Sequence, residues 1–309
     1  MIEKQRLLFL TTGCVTYDCG INFSATFEQM FSEVINYNYV EKANSIGNIV
    51  TNSEIIEIVK KEKPDYVFWT TNLHQIEIET LDRIAEMGIK VIAWFSDDHW
   101  RFDNYSKHMA GHVYCSVTTD KCAVEKYKRS GLRVIRSQWA SNPNYYKKTN
   151  HRLLYDVSFV GGKYGNRQEK LDHLKSKCQC HINIFGKGFS KFLEFDEMIE
   201  VFNSSRINLN LSESSTKGFG SQIKGRVFEI TMCGGFLLTE HADGIEEYFE
   251  IGKEIECFES LQEALVKIEY YLKYEDKRKE IAEAGYARAM KEHTWEKRLK
   301  NIFYELEDV

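Results

Sequence analysis

Short apolar runs alternate with amphipathic stretches along most of the chain, and this alternation limits the fold more than any other feature of the sequence. Buried strands are predicted over residues 6–13, 65–72, 90–97, 112–120 and 132–140. Between them, apolar side chains recur at helical spacing from Ser24 to Val34, over 53–61 with Asn52 or Ser53 as N-cap, and over 76–87. Strands separated by helices are typical of a parallel α/β architecture.

The same rhythm resumes after a break in the periodicity. Residues 141–152 are polar and contain Asn-Pro-Asn, which favours a domain boundary. Beyond it, the predicted strands are 155–162, 180–187, 206–212 and 235–241, and the predicted helices are 167–177, 195–204 and 225–233. Residues 261–309 predict two or three helices with no strand after them. We therefore predict an α/β protein with two doubly wound domains, residues 1–150 and 151–290, and a final helix over 291–309.

Composition excludes several classes of protein. With 309 residues, of which 43% are hydrophobic and 28% charged, the chain can build a sizeable core and is not disordered. The net charge of −5 argues against a general nucleic-acid binder. No apolar run approaches the length of a membrane span, and the one before Cys14 is too short for a signal peptide. Eight cysteines without a CxxC pair indicate reduced thiols. We expect a cytoplasmic protein with no transmembrane segment and no nucleic-acid partner.

Small and cationic residues follow the predicted strands of the second domain. Ligands of open α/β sheets bind beyond the carboxyl ends of the strands, where glycine lets backbone N–H groups approach a phosphate and arginine can pair with its oxygens. The candidate donor-binding residues of this kind are Gly161, Gly162, Arg167, Gly186, His241 and Gly244. For any single glycine an ordinary turn is the better explanation. Neither GxGxxG nor GxxxxGK[ST] occurs at these positions, so neither a dinucleotide fingerprint nor a P-loop is supported.

The segment KGRVFEITMCGGFLLTE, residues 224–240, places three charged side chains beside an apolar run. Arg226 and Glu229 share one face of the predicted helix, because they are three residues apart. Glu229 can accept hydrogen bonds from the vicinal hydroxyls of a ribose, while Lys224 and Arg226 meet a diphosphate. Gly234 belongs to the turn that ends the helix. The alternative is a structural ion pair between Arg226 and Glu229 on a surface helix.

Parts of this half resemble a known family. The stretches 226–229, 233–240 and 244–249 are similar to the C-terminal signature of CgeB-like, spore-maturation-type glycosyltransferases, which are bacterial enzymes related to group 1 glycosyltransferases. Three further pieces agree in order: 158–162 followed by Arg167, then 184–186, then 293–298. The resemblance covers about residues 155–300 and is loose before them.

The resemblance implies a GT-B fold, in which two Rossmann-like domains face a cleft and the second holds a nucleotide sugar. It implies that Glu229 is the ribose-binding glutamate, that the final helix crosses back to the first domain, and that the product is a bacterial surface glycan. It also implies that neither a metal nor a cofactor is needed beside the UDP-, GDP- or dTDP-linked donor. One departure concerns Ser221, which stands where group 1 enzymes commonly carry another glutamate. The stereochemistry of transfer therefore stays open.

The acceptor side is predicted from the residues alone, after the strands of the first domain. Asp97, Asp98 and His99 follow a strongly apolar strand and are the candidate catalytic residues, since a carboxylate or histidine there can deprotonate an acceptor hydroxyl. A pair of helix-capping aspartates explains Asp97 and Asp98 equally well. The remaining acceptor-side candidates are Cys14, Tyr17, Asn72, His74 and Trp100.

We therefore predict a metal-independent glycosyltransferase that moves a sugar from a nucleotide sugar to a hydroxyl of a saccharide, a protein or a lipid-linked acceptor. Two alternatives stay open. A nucleotide-sugar epimerase of the same architecture would need no acceptor groove. A non-catalytic nucleotide-sugar-binding protein would use Asp97 and Asp98 only as caps.

Overall fold

The computed structural model describes residues 2–13, 17–72, 74–189, 191–216 and 218–307, with the side chains of 17–19 left aside. The chain divides into two compact units. The first comprises Met1–Gln138 and Trp295–Val309, and the second Trp139–Thr294. Residues 139–150 are predicted to belong to the first domain, but in the structure they group with the second unit. No helix among the described residues is long and apolar enough to cross a membrane.

The first unit contains a parallel sheet of six described strands in the order β2-β1-β3-β4-β5-β6. The strands are β1 (Arg6–Thr11), β2 (Glu33–Asn38), β3 (Tyr66–Thr70), β4 (Lys90–Phe95), β5 (Cys115–Thr118) and β6 (Val134–Arg136). The helices are α1 (Ala25–Met30), α2 (Tyr39–Ile46), α3 (Asn48–Glu62), α4 (Ile78–Glu86), α5 (Asp98–Arg101), α6 (Lys107–Ala110), α7 (Lys121–Arg129) and, from the end of the chain, α13 (Trp295–Glu307). Tyr17–Ser24 and Phe102–Ser106 are π-helical, and Ile2–Lys4 is a 3₁₀ turn.

The central strands of this unit are buried on both faces because helices cover both sides of the sheet. All five residues of β3 are buried, which explains why that strand is a continuous apolar run. The final helix completes the core of the first unit. The Trp295 ring lies 4.4 Å from the Phe23 ring and 5.7 Å from the Trp94 ring, centroid to centroid.

The second unit contains a parallel sheet of five described strands in the order β11-β10-β9-β7-β8. The strands are β7 (Tyr155–Val160), β8 (Ile182–Phe185), β9 (Ser205–Asn210), β10 (Leu237–Glu240) and β11 (Glu256–Phe258). The helices are α8 (Arg167–Lys177), α9 (Phe195–Ser204), α10 (Gly225–Met232), α11 (Leu261–Lys273) and α12 (Glu275–Glu292), with a 3₁₀ turn at Ile245–Glu247. The chain leaves β7 toward β8 and returns on its other side at β9. The carboxyl ends of β7 and β9 therefore flank the switch point of the sheet.

The predicted elements differ from the structure at a few places. The first helix ends at Met30 and does not extend to Val34 as predicted, because Glu33–Asn38 forms the edge strand β2. Helix α3 begins at Asn48 after Gly47, so neither Asn52 nor Ser53 is its N-cap. Strand β11 is not predicted from the sequence. The α/β prediction itself is confirmed: both sheets are parallel and the chain ends in a helix.

Candidate functional site

Helix α10 begins at the carboxyl edge of the second sheet. The chain leaves β9 at Asn210, forms a loop, and enters the helix at Gly225 with Lys224 as an extended N-cap residue. The helix runs back toward the amino edge, so its first-turn N–H groups and its positive dipole end lie at the carboxyl edge. This is where the sheet topology places ligands of open α/β folds.

Arg226 and Glu229 form an ion pair in the first turns of α10. Nη1 of Arg226 donates to Oε2 of Glu229, whose side chain is only 3% exposed. Nε of Arg226 donates to the carbonyl of Val160, the last residue of β7, at 3.2 Å. The carboxylate lies back along the helix, since a Cβ added at Gly225 would sit 3.3 Å from Oε1 of Glu229. The two side chains share one face of the helix, and the ion pair that the sequence left as the structural alternative is formed, with Glu229 buried and Arg226 half-buried beside the strand end.

Arg167 joins the ends of two strands. Its Nη1 donates to the carbonyl of Gly162, after β7, and its Nη2 to the carbonyl of Leu211, after β9, both at 3.1 Å. The guanidinium stacks on the Tyr164 ring at 3.7 Å from the centroid. Arg167 is 4% exposed, and burial lowers its pKa. Its main role in this structure is therefore to hold the switch point together.

Two of the predicted glycines permit a close approach of strand ends. A Cβ at Gly186, whose φ is +127°, would lie 2.0 Å from the carbonyl oxygen of Gly161. A Cβ at Gly161 would lie 2.9 Å from the Phe159 ring. Gly162 lies next to Tyr164 in the same turn. These glycines are required by packing, whatever else their N–H groups bind.

The remaining donor-side candidates are dispersed. Gly244 has a left-handed conformation and precedes the 3₁₀ turn after β10. His241 follows β10, and its Nε2 lies 2.6 Å from Oε1 of Glu246. Gly234, by contrast, ends α10 at the amino edge of the sheet, where a Cβ would overlap the side chain of Lys148. The structure therefore does not bring Gly234 to the carboxyl edge.

A charged network at this edge was missed by sequence reasoning. Nζ of Lys170 lies 2.6 Å from Oε1 of Glu240 and 3.9 Å from Oε2 of Glu213. The second oxygen of Glu240 accepts the Ser212 N–H at 3.2 Å, and Glu213 accepts the Asn166 N–H at 3.0 Å. The sequence feature that could have identified this network is the position of Glu213 and Glu240, one just after β9 and the other at the end of β10. The network fixes the loops that flank α10.

The ring of Tyr164 is the other feature that sequence reasoning missed. Two cations lie near the ring: the Arg167 guanidinium stacks 3.7 Å from its centroid, and Nζ of Lys224 lies 5.7 Å from it. An aromatic face with cations on it is a favourable arrangement, and it orients Lys224 at the N-terminus of α10.

The two adjacent aspartates of the first unit have different surroundings. Asp97 is half-buried at the N-cap of α5 and makes no side-chain capping bond. Asp98 is 1% exposed, and its Oδ2 accepts a hydrogen bond from the Tyr127 hydroxyl at 2.9 Å. Burial raises the pKa of Asp98 to about 6, although the hydroxyls of Ser106, Thr118 and Tyr127 oppose the shift. The Asp98 carboxylate is therefore a buried core group in this structure.

Other acceptor-side candidates follow the strand ends. His99 and Trp100 are half-buried in α5. Asn72 follows β3 and its carbonyl accepts from Arg101 at 3.0 Å. His74 is exposed, has a φ of +21°, and packs edge-on against Tyr105. Cys14 lies outside the described residues. Tyr17 begins a π-helical segment, and its side chain is not among those described.

Among the described residues, no group of three or more His, Cys, Asp or Glu side chains could hold a metal ion. Lys224, Arg226 and the first turn of α10 lie together at the carboxyl edge of the sheet.

Comparisons with known proteins agree with this architecture. Residues 167–303 match the family model described as "Glycosyl transferase-like". A search of curated proteins finds no match. Among solved structures, Anabaena Alr3699/HepE in complex with UDP superposes with a TM-score of 0.66 at 12% identity, covering 99% of this chain and 100% of that one.

Two further solved structures have the same fold. A glycosyltransferase from Rickettsia africae ESF-5 has a TM-score of 0.69 at 11% identity, with 99% of this chain and 98% of that chain covered. Sucrose-phosphate synthase (tll1590) from Thermosynechococcus elongatus has a TM-score of 0.68 at 9% identity, with 99% and 100% covered. These likenesses show the GT-B fold. The match of residues 167–303 to the glycosyl transferase-like family model confirms the prediction of a glycosyltransferase.

Proposed function

We propose that this chain transfers a sugar from a nucleoside-diphosphate sugar, held at the carboxyl edge of the second sheet, to an acceptor hydroxyl without a metal ion. The observation that carries the proposal is the Arg226–Glu229 pair at the start of α10, beside the end of β7, in which Glu229 is buried and Arg226 half-buried. Desolvation of a buried carboxylate can cost more than its ion pair returns, which favours a role for Glu229 beyond stability. Binding of UDP by Alr3699/HepE supports a uridine nucleotide as the first ligand to test, with GDP and dTDP next.

The donor chemistry follows from these groups. The Glu229 carboxylate is an acceptor for the two hydroxyls of a ribose, and Arg226 holds it in place. Lys224 and the first N–H groups of α10 face the diphosphate. Sugar transfer leaves negative charge on the departing diphosphate, and positioned cations stabilise that charge in the transition state. The ion pairs of Lys170 with Glu240 and Glu213 hold the loops after β9 and β10 in position.

The acceptor chemistry is assigned to the first unit. Asp97, half-buried after β4, is the proposed general base, since Asp98 is held in the core by Tyr127. His99 is the second candidate. The proposed acceptor is a hydroxyl of a saccharide, a protein or a lipid-linked glycan, and the proposed setting is the cytoplasm of a bacterium that builds a surface glycan by a CgeB-like enzyme.

Incubation with UDP-, GDP-, CMP- and dTDP-linked sugars tests the proposal. A transferase releases the nucleotide (the nucleoside diphosphate, or CMP from a CMP-linked sugar) slowly by hydrolysis and faster when a suitable acceptor hydroxyl is present. An epimerase converts the sugar without an acceptor, and a non-catalytic binding protein shows affinity without turnover; either result overturns transfer. Activity that disappears in EDTA and returns with Mn²⁺ or Mg²⁺ overturns metal independence alone.

A further inference from the structure

A pocket opens at the amino ends of β9 and β10, far from the candidate donor site. Its walls include Arg206, the turn at 234–235, and the side chains of Lys148, Arg278 and Lys279, and we call it the cationic pocket. Donor-site residues follow the carboxyl ends of the same strands. Because β9 has six residues and each adds about 3.3 Å, the two places are about 20 Å apart along the sheet.

The charges that line the cationic pocket have one sign. Four of its lining residues are Lys or Arg, and none is Asp or Glu. Lys148, Arg206 and Lys279 each form an ion pair with a carboxylate outside the pocket. Those pairs are exposed to solvent, and exposed pairs are weak. The three side chains can therefore turn toward a bound anion at little cost.

Arg278 is the buried member of the set. It is 4% exposed, and its Nη1 donates to the carbonyl of Tyr271 near the end of α11 at 2.5 Å. Among the ion pairs between described residues, none involves Arg278. Burial lowers the pKa of Arg278, and the nearby Glu275 carboxylate opposes that shift. An anion in the pocket would add a second negative charge beside this buried guanidinium.

The rest of the lining combines three polar residues, Thr149, Asn203 and Ser205, with apolar residues and backbone. Leu153, Phe202, Phe236 and Ala282 contribute to the wall beside the cations. Glycine at position 234 makes room for the overlying lysine, since a Cβ there would lie 2.7 Å from Cδ of Lys148. The pocket therefore pairs a cationic rim with an apolar surface.

We propose that the cationic pocket is a second binding site, separate from the donor site, for a phosphate monoester with a compact apolar body. Arg278, Arg206 and Lys279 would hold the phosphate, and the side chains of Leu153 and Ala282 would pack against the body. A ligand bound there contacts the turn between α10 and β10, and so it contacts the far end of the helix that carries Glu229.

Titration of the whole protein with phenyl phosphate and with inorganic phosphate, followed by calorimetry, tests this site. We expect saturable binding at millimolar or tighter concentrations, with phenyl phosphate the tighter ligand because of its ring. The double variant Arg206→Gln/Lys279→Gln should weaken phenyl phosphate binding at least about tenfold, because it removes two charge-assisted partners. Arg278→Gln should do the same, and the double variant decides the question if Arg278→Gln does not fold.

Lys277→Gln is the matched control. Lys277 is an exposed lysine on the same helix, two residues from Lys279, and pairs with Glu280 outside the pocket. It should bind phenyl phosphate like the parent, and the double variant should keep its affinity for UDP. Absence of saturable binding, equal affinity for the two probes, or loss of binding in Lys224→Gln but not in the double variant would each overturn the proposal.

Discussion

The Tyr127 hydroxyl donates a hydrogen bond to Oδ2 of Asp98 at 2.9 Å inside the first unit. Both side chains are almost fully buried, Asp98 at 1% and Tyr127 at 0% exposure. The strand end therefore presents two adjacent aspartates with different roles, a core carboxylate at 98 and a half-buried one at 97. Two of the predictions below separate them.

Stability should fall as the pH rises through the titration of Asp98. Burial raises its pKa from 3.8 to about 6, so between these values the folded chain keeps a proton that the unfolded chain has lost. The stability from this proton is present below about pH 4 and lost above about pH 6, and it amounts to about 2–3 kcal/mol. The Asp98→Asn variant has no carboxyl group at this position, so it should not show this decrease in stability with pH. Its amide oxygen can still accept the hydrogen bond from Tyr127. Urea unfolding at about pH 4 and about pH 7 gives the change in the free energy of unfolding for the parent and for Asp98→Asn. Asp97→Asn is the control. Equal pH slopes for parent and Asp98→Asn would contradict the assignment.

Gly186→Ala should strongly destabilise the second unit. The new Cβ would lie 2.0 Å from the carbonyl oxygen of Gly161 and would force a backbone with φ of +127° onto an L side chain. Gly218→Ala is the matched control, because its φ is also positive, +92°, but no atom lies within 4 Å of the added Cβ. We expect Gly186→Ala to cost about 3 kcal/mol or more and Gly218→Ala about 1 kcal/mol, in unfolding experiments. Similar costs would show that the strand ends separate easily.

Trp295→Ala should destabilise the first unit, although the residue is more than 150 positions from the rest of that unit in the chain. Its ring packs against Phe23 and Trp94, and it is 1% exposed. Truncation of a buried tryptophan costs about 3–5 kcal/mol. Tyr304→Ala on the same helix, where the side chain is 59% exposed, should change stability little. Hydrogen exchange of β1 and β3 amides localises the effect, and unchanged protection in Trp295→Ala would refute it.

Strands that are buried on both faces, such as β3 and β4, were predicted from the sequence, whereas the edge strand β2 and the short strand β11 were missed. β3 and β4 are continuous apolar runs because both faces of the sheet are covered. β2 lies at the edge of the sheet and only one of its six residues is buried, so its sequence does not indicate a buried strand. β11 has three residues, too few to show a period.

At the site, local spacing was informative and long-range contacts were not. The Arg226–Glu229 pair follows from helical geometry three residues apart. The contact of Lys170 with Glu240 joins residues 70 positions apart, and nothing in either segment specifies it. Likewise, no local pattern distinguishes Asp97 from Asp98, because the difference lies in the burial of Asp98 against Tyr127.

Asp97→Asn should lower turnover while leaving nucleotide affinity intact. The substitution keeps the shape of the side chain and removes the proton acceptor, and loss of general-base assistance typically costs about 10²–10⁴-fold in rate. UDP affinity should be unchanged, because the proposed donor site is on the second unit. Asp98→Asn, which removes a buried carboxylate, should retain most of the turnover. Near-normal turnover in Asp97→Asn would transfer the role to His99 or His74, or favour a retaining mechanism that needs no such base.

Glu229→Ala should weaken nucleotide binding by about 1.5–3 kcal/mol, because the carboxylate would accept charge-assisted hydrogen bonds from the ribose. Glu229→Ala also removes the ion-pair partner of Arg226, so the stability of the variant must be measured together with its affinity. Glu229→Gln keeps the size and an acceptor oxygen, so it should lose part of the affinity and less of the stability. Glu280→Gln, at an exposed glutamate of the same unit, controls for the change in net charge. Calorimetry with UDP gives the affinities, and urea unfolding gives the stability of each variant. If Glu229→Ala is folded and binds UDP like the parent, the pair with Arg226 is structural only and the donor does not bind at α10.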